Sequence, residues 1–179
     1  MDAPLEQFMT DFKVGEKAVY PGHGVAEIIG IERREFSGKT LEFYVLRVLE
    51  NDMKVMVPKR NAENVGLRQI VAGDQIQEVY EVLNRRGEKI STATWNRRHR
   101  EYMEKIKTGS LPAIASVMRD LCILRGDKDL SFGERKMLDT ARTLLVQELA
   151  LAKGVDEVSM AQELEDLFAL EPGRAASAS

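Results

Sequence analysis

The feature that most constrains the fold of this chain is a change in hydrophobic pattern near Ala72-Gly73. Before this point the apolar residues form short runs, rich in β-branched side chains and separated by turn signals such as Pro21-Gly22. After this point they recur every three or four residues, as they do along one face of an α-helix. This order predicts a small β domain followed by a separate helical domain.

The first half predicts four or five closely spaced strands with no helix between them, which is typical of a small barrel or a strongly bent sheet. Ser37-Gly38-Lys39 is typical of a hairpin turn, and Asn51-Asp52 is a second turn that joins the last two strands. The expected strands cover residues 18–20, 25–31, 41–49 and 53–57, in a domain of residues 13–72 that follows a flexible leader of residues 1–12.

The second half predicts about five helices in a domain of residues 73–171. Ser131 followed by Glu134 forms a capping box, and Gly109 stands where a helix is expected to end. The small residues of the tail, 172–179, are expected to be disordered. The expected helices cover about residues 74–84, 95–107, 110–124, 131–153 and 159–170. The predicted fold class is α+β with two domains.

Composition excludes several kinds of protein. No apolar run approaches the ~20 residues that span a bilayer, and the N-terminus lacks the features of a signal peptide. The single cysteine, Cys122, cannot form an internal disulfide, which favours a reducing cytoplasm. The only other metal-ligating candidates of this type are His23 and His99, so neither a metal site nor a cofactor is expected.

Enzyme motifs are also missing. Gly22-His23-Gly24 does not extend to a dinucleotide-binding G-x-G-x-x-G, because Glu27 occupies the last position. The chain has no P-loop, no G-x-S-x-G and no H-E-x-x-H. We therefore expect a non-enzymatic protein with no catalytic residue.

Charge is distributed unevenly along the chain. The net charge is −3, yet residues 85–107 carry eight basic side chains against three acidic ones. Residues 155–171 carry six acidic side chains and no basic one. An anionic partner is therefore expected to contact the first of these regions and to avoid the second.

The only tryptophan, Trp95, lies in the basic region. On a helix it shares one side with Arg98 and His99, so cations flank it more than apolar residues do. A large ring beside cations suits contact with a nucleic-acid base or groove while the cations contact phosphates. Most tryptophans pack into a core instead, and the pattern leaves both interpretations open.

Three arginines follow the tryptophan at positions 97, 98 and 100. A solvated helix with ion pairs Arg97–Glu101 and Arg100–Glu104 is one interpretation. The excess of cations and the adjacent ring favour the other, in which Arg97, Arg98 and Arg100 contact phosphates.

Further residues are candidates for a role in binding. Arg135 and Lys136 lie in the first turns of the predicted fourth helix, where the helix dipole disfavours cations, and this weakly suggests a functional role. Phe132 is either a hydrophobic staple, which is the commoner case, or an exposed wedge. The strand around Met56 is either a protected sheet edge or an edge that pairs with another protein, and Pro58 ends it.

These residues resemble those of the CarD/CdnL family of bacterial transcription regulators, whose N-terminal module is shared with the transcription-repair coupling factor. The resemblance runs in one order from about Phe12 to Leu170. It is carried by residues 14–25 (VGEKAVYPGHGV), 43–46 (FYVL), 55–58 (VMVP), 65–68 (VGLR), 95–98 (WNRR), 104–106 (EKI), Gly109, 130–138 (LSFGERKML) and 141–142 (AR).

The resemblance implies a Tudor-like (SH3-like) barrel that docks on the RNA polymerase β subunit by strand pairing. It also implies a helical domain that contacts promoter DNA at the upstream edge of the transcription bubble, where the tryptophan enters the minor groove and slows collapse of the open complex. Groove wedging predicts weak sequence specificity, and we expect a monomer located at the bacterial nucleoid in the cytoplasm. Carried over by position, the polymerase contacts are Leu46, Met56 and Pro58, and the DNA contacts are Trp95, Arg97, Arg98, Arg100 and Arg135.

The sequence leaves two points open. Some relatives have Arg where this chain has Met56, so the docking contact here is more apolar. An adaptor that links RNA polymerase to another protein, with Trp95 as a protein contact, is the alternative function.

Overall fold

The computed structural model describes residues 11–86 and 90–169. The chain divides between Ile70 and Val71 into two compact units, close to the expected boundary at Ala72-Gly73. Among the described residues, no helix is both long and apolar enough to cross a membrane.

The first unit is a five-stranded antiparallel sheet, as expected for a Tudor-like domain. Its strand order is β4-β3-β2-β1-β5. β2 and β3 form a hairpin that is longer than predicted, because Ser37 (φ 50°) and Gly38 (φ 76°) make a tight two-residue turn that lets the ladder run to its end. The strands are β1 (Lys17–Tyr20), β2 (Gly24–Phe36), β3 (Lys39–Val48), β4 (Lys54–Pro58) and β5 (Arg68–Gln69), with a 3₁₀ turn over Lys59–Asn61.

A β-bulge bends the sheet around its own core. The register between β2 and β3 shifts between Ile28 and Gly30, which increases the local twist. Ile28 and Leu46, opposite each other just before the shift, are both fully buried. The inward-facing core is formed by Phe12, Ala18, Ala26, Ile28, Tyr44, Leu46, Val48, Val57, Ala62 and Leu67.

The expected leader is wrong at its last residues. Phe12 is only 2% exposed, and its ring packs edge-on against Tyr44 at 5.7 Å between centroids. The Phe12 backbone N–H donates to the Tyr44 hydroxyl (3.2 Å), which in turn donates to Asp11 (3.0 Å). Asp11 and Phe12 therefore belong to the first unit, while residues 1–10 of the expected leader lie outside the described residues.

The second unit contains the five expected helices. They are α1 (Asp74–Asn84), α2 (Trp95–Lys107), α3 (Leu111–Asp127), α4 (Phe132–Lys153) and α5 (Glu157–Ala169). The predicted tail, residues 172–179, lies outside the described residues.

The local signals that end and begin these helices act as predicted. Gly109 has φ 71° just after the end of α2, a left-handed conformation that suits glycine. Ser131 Oγ accepts the Glu134 backbone N–H (3.2 Å), and Glu134 Oε1 accepts the Ser131 backbone N–H (3.1 Å). This reciprocal capping box fixes the start of α4.

The core of the second unit is made by the facing stripes of α3 and α4, with α1, α2 and α5 packed around them. Cys122 is 3% exposed within this core, and burial raises the pKa of its thiol to about 11. It is the buried thiol that its position on the apolar face of α3 predicts.

Candidate nucleic-acid interface

Trp95 is the first residue of α2, and its side chain is half-buried against the core of the second unit. Its indole edge lies on Gly133 at the start of α4. A Cβ atom built on Gly133 would stand 2.9 Å from Trp95 Nε1 and 3.1 Å from Cε2 and Cζ2. Both interpretations of the ring are thus partly right, because one edge is packed and part of the ring stays accessible.

Two side chains of α2 also contact the ring. The Arg98 guanidinium carbon lies 5.3 Å from the Trp95 ring centroid, within the range of a cation–π interaction. The His99 ring stands edge-on to the indole, with centroids 5.4 Å apart and an interplanar angle of 73°. The expected side-sharing of Trp95, Arg98 and His99 is therefore confirmed.

The burial of Arg98 contradicts its expected role as a DNA contact. It is 8% exposed, and its Nη2 donates to Glu134 Oε2 at 3.1 Å. The Glu134 side chain is 3% exposed, so this is a buried ion pair rather than a surface cation. A guanidinium held in this way does not offer its charge to a phosphate. We therefore remove Arg98 from the DNA contacts.

Glu134 is the centre of this small network. Burial by itself would raise the pKa of its carboxyl, but hydrogen bonds from Ser131 and from Arg98 outweigh that effect and hold the pKa at about 2. Lys128 Nζ lies 3.5 Å from Glu134 Oε1 and adds to the same stabilisation of the charged form. The carboxylate is therefore ionised at any physiological pH.

The remaining cations of the site are exposed. Arg97 has 75% of its side chain exposed and lies 3.5 Å from Glu101, in the predicted i,i+4 pair. Arg100 on α2 and Arg135 and Lys136 on α4 are also exposed. An exposed pair of this kind contributes little to stability, so these side chains are free to exchange partners.

Phe132 is a functional candidate to which sequence reasoning gave less weight. It is 75% exposed at the first position of α4, immediately before the glycine on which Trp95 lies. A staple would be packed, so the alternative of an exposed ring is the one that the structure supports. The signal in the sequence is an aromatic residue directly after the Ser131 cap and three residues before Arg135.

The proposed docking strand β4 pairs only with β3 among the described strands, so it is a sheet edge. Leu46 pairs with Val55 and is 0% exposed. Its expected place at a polymerase surface is therefore wrong, because its side chain belongs to the barrel core. Met56 and Pro58 are partly exposed.

Strand alternation shows which side chains share the face of Met56. Met56 is opposite Val45 in the register, one residue along from the buried pair. Since successive side chains point to opposite faces, Val45 and Met56 share the face away from the core. Phe43, opposite Pro58, lies on the same face.

No group of three or more His, Cys, Asp or Glu side chains that could hold a metal ion occurs within residues 11–86 and 90–169.

Comparison with known proteins assigns both units. Residues 12–71 match the CarD-like/TRCF RID domain, and residues 78–165 match the CarD C-terminal domain. The Bacillus subtilis (strain 168) protein YdeB, described by name as a candidate transcription factor, is 33% identical over 146 residues, which are 82% of this chain and 95% of YdeB. The chain belongs to the CarD/CdnL family. This is a family of transcription regulators, as the sequence predicted.

One solved structure of a CarD/CdnL protein is similar to part of the chain. The structure "CdnLNt from Myxoccoccus xanthus" is 52% identical, covers 36% of this chain and 92% of its own chain, and has a TM-score of 0.30.

Proposed function

We propose that this CarD/CdnL protein docks on the β subunit of bacterial RNA polymerase through β4 and stabilises the promoter open complex through Trp95. The observation that carries the proposal is the half-buried Trp95, held at one edge and flanked by exposed arginines in a chain whose net charge is −3. Such a site suits local contact with DNA rather than general coating of it.

The ring and the arginines have different roles in this proposal. Trp95 enters the minor groove at the upstream edge of the bubble, with Phe132 as a neighbouring apolar contact. Insertion costs a few kcal/mol of unstacking, and the cost is smallest where the duplex is already opening. Because the contact is stronger with opened DNA than with closed duplex, binding shifts the population toward the open complex.

Arg97, Arg100 and Arg135 supply phosphate contacts to the same DNA. Phosphate contacts carry no direct sequence information, and a wedge reads groove shape more than base identity. The proposal therefore includes weak sequence specificity. Each phosphate contact that is lost reduces the salt dependence of binding by about 0.9 in the log–log slope for duplex DNA.

Docking uses the free edge of β4. An extended strand of the partner adds to such an edge by main-chain hydrogen bonds, while side chains on alternate positions give specificity. Val45, Met56 and Phe43 form an apolar outer face beside that edge, and Pro58 ends the strand. Met56 replaces the Arg of some relatives, so an apolar partner surface is expected here.

The two contacts support each other. A tethered group has an effective concentration in the millimolar range when its linker spans the two sites, so weak DNA contacts become effective once β4 is docked. Transcription in bacteria takes place at the nucleoid in the cytoplasm, which is where the proposal locates this protein.

The experiment is the lifetime of an open promoter complex formed by purified bacterial RNA polymerase. It is measured without the protein, with the wild type and with Trp95→Ala, after a competitor traps free polymerase. We expect the wild type to lengthen the lifetime and the folded Trp95→Ala variant to bind polymerase without that effect. Equal lifetimes in all three reactions, with polymerase still bound, would reject the DNA contact and support the adaptor.

A further inference from the structure

Trp95 is contacted by residues of α2 and α4 that are not among the proposed DNA contacts. Gly133 supports the indole edge, Arg98 lies over the ring, and Glu134 holds Arg98. Glu134 is in turn bonded to Ser131 in the capping box of α4. The conformation of a ring on α2 is therefore determined by the first turn of α4.

Gly133 leaves no room for a larger residue while Trp95 keeps this place. A Cβ atom would approach Trp95 Nε1 to 2.9 Å, closer than such atoms are found in proteins. Gly133 lies within α4, where alanine is the better helix former, so helix formation does not require glycine here. The requirement for glycine comes from the ring.

The Arg98–Glu134 pair fixes the other side of the ring. Both side chains are nearly excluded from solvent, and a buried ion pair is tolerated only with good geometry and further hydrogen bonds. The capping bonds to Ser131 and the nearby Lys128 meet that requirement for Glu134. The Nη2–Glu134 bond thereby links the guanidinium that contacts the indole to the first turn of α4.

We propose that Gly133 and the Arg98–Glu134 ion pair are positioning residues that hold the Trp95 ring in the conformation in which it enters DNA. The proposal rests on the proposed function of Trp95. A ring that is already ordered loses less conformational freedom on binding, so the pair and the glycine raise the efficiency of the wedge without touching DNA.

The test uses Trp95 itself, since the only tryptophan of the chain is a specific fluorescent probe. In the free full-length protein we expect Gly133→Ala to shift the emission to longer wavelength and to increase quenching by acrylamide. In the open-complex assay we expect it to shorten the lifetime about twofold to tenfold, the factor that corresponds to ordering one side chain. Thermal unfolding followed by circular dichroism shows that the variant is folded.

A second set of variants keeps the test valid if one variant is unstable. Arg98→Met combined with Glu134→Gln removes both buried charges and retains the capping box, because Gln serves at this position as Glu does. We expect the same change in quenching and lifetime. Arg97→Met, an exposed neighbour on α2, is the control for the fluorescence measurement and should leave quenching unchanged.

Each outcome separates the two proposals. If wild type and Trp95→Ala give the same lifetime, the proposed function fails and this inference fails with it. If they differ while Gly133→Ala and the double variant match the wild type in quenching or in lifetime, the positioning role alone is overturned. Increased quenching together with a shortened lifetime supports it.

Discussion

Replacing Arg98 by methionine should strongly destabilise the second unit. The change keeps a long unbranched side chain but leaves the Glu134 carboxylate, whose side chain is 3% exposed, without its guanidinium partner. Removing one member of a buried ion pair typically costs about 3–5 kcal/mol. The lower end applies here, because Lys128 at 3.5 Å and the Ser131 N–H still stabilise the carboxylate.

A loss of ~3 kcal/mol corresponds to a decrease in Tm of ~12 °C for a domain of about 100 residues. Trp95 is the natural probe, since the only tryptophan lies in this unit, and circular dichroism at 222 nm provides an independent signal. The assay is urea unfolding at neutral pH followed by both signals. Their coincidence checks that the unit unfolds in one step.

Arg97→Met is the matched control. It removes the same guanidinium group from the neighbouring residue of α2, where the side chain is not buried but 75% exposed. We expect it to change stability by less than ~0.5 kcal/mol. Adding Glu134→Gln to Arg98→Met should restore much of the loss, since no buried charge then remains. A loss of under ~1 kcal/mol for Arg98→Met, or a loss equal to that of Arg97→Met, would refute the buried pair.

Three further predictions concern Glu134, Phe12 and Met56. Glu134 has a folded-state pKa of about 2, against about 4.3 when unfolded, so the ~3 kcal/mol that it contributes is fully present above pH ~4.3 and is lost as the pH falls toward ~2. Glu42 and Glu163, whose pKa values are also lowered, weaken the protein in acid whether or not Glu134 is present. Between pH 5 and pH 2.5, urea unfolding should therefore show a loss of stability about 2 kcal/mol larger in the wild type than in Glu134→Gln, and equal losses would contradict the ionised pair. Phe12→Ala should lower the free energy of unfolding of the first unit by about 3–5 kcal/mol, measured by chemical denaturation. A loss below ~1 kcal/mol would show that Phe12 is not part of the core of the first unit. Met56→Glu should weaken polymerase binding at least about tenfold in a direct binding assay, because it places a charge in an apolar contact, while leaving unfolding unchanged; equal affinity would reject β4 as the docking edge.

Helix ends and strand positions are predictable because their causes are local. The capping box needs only Ser131 and Glu134, and the end of α2 needs only a glycine at position 109 that can adopt positive φ. Four strands followed from β-branched runs between turns. Such signals depend on a few neighbouring residues and not on tertiary packing, so the sequence predicts them well.

The face of each strand was harder to predict. Residues 41–49 are apolar on both faces, because Val45 and Phe43 face outward beside β4 while Leu46 and Tyr44 face the core. The bulge after Ile28 further shifts the register. A one-residue uncertainty exchanges the two faces of a strand, so the pattern of this strand offers no check on the surface position that the resemblance implied for Leu46.

The ion pair of Arg98 could not be predicted from α2 alone, because its partner, Glu134, lies on another helix. The pattern of α2 does distinguish Arg98 from the exposed Arg97 and Arg100, since Arg98 shares one stripe with the buried Tyr102 and Ile106. Glu134 also already had a sufficient local explanation in the capping box. Its second role depends on the packing of α2 against α4, which no short-range pattern encodes.

Substitutions of the buried Arg98 and of the exposed arginines have different consequences for the site. Trp95 is held by Gly133 and by a buried pair, so a substitution there alters both the ring and the stability of the second unit. The exposed Arg97, Arg100 and Arg135 can be replaced at little cost in stability, because exposed charges contribute little to folding. Affinity for phosphates can therefore vary independently of the position of the ring. Under the proposed function, such a protein can tune how strongly it contacts DNA while the helical core keeps the position of the Trp95 ring fixed.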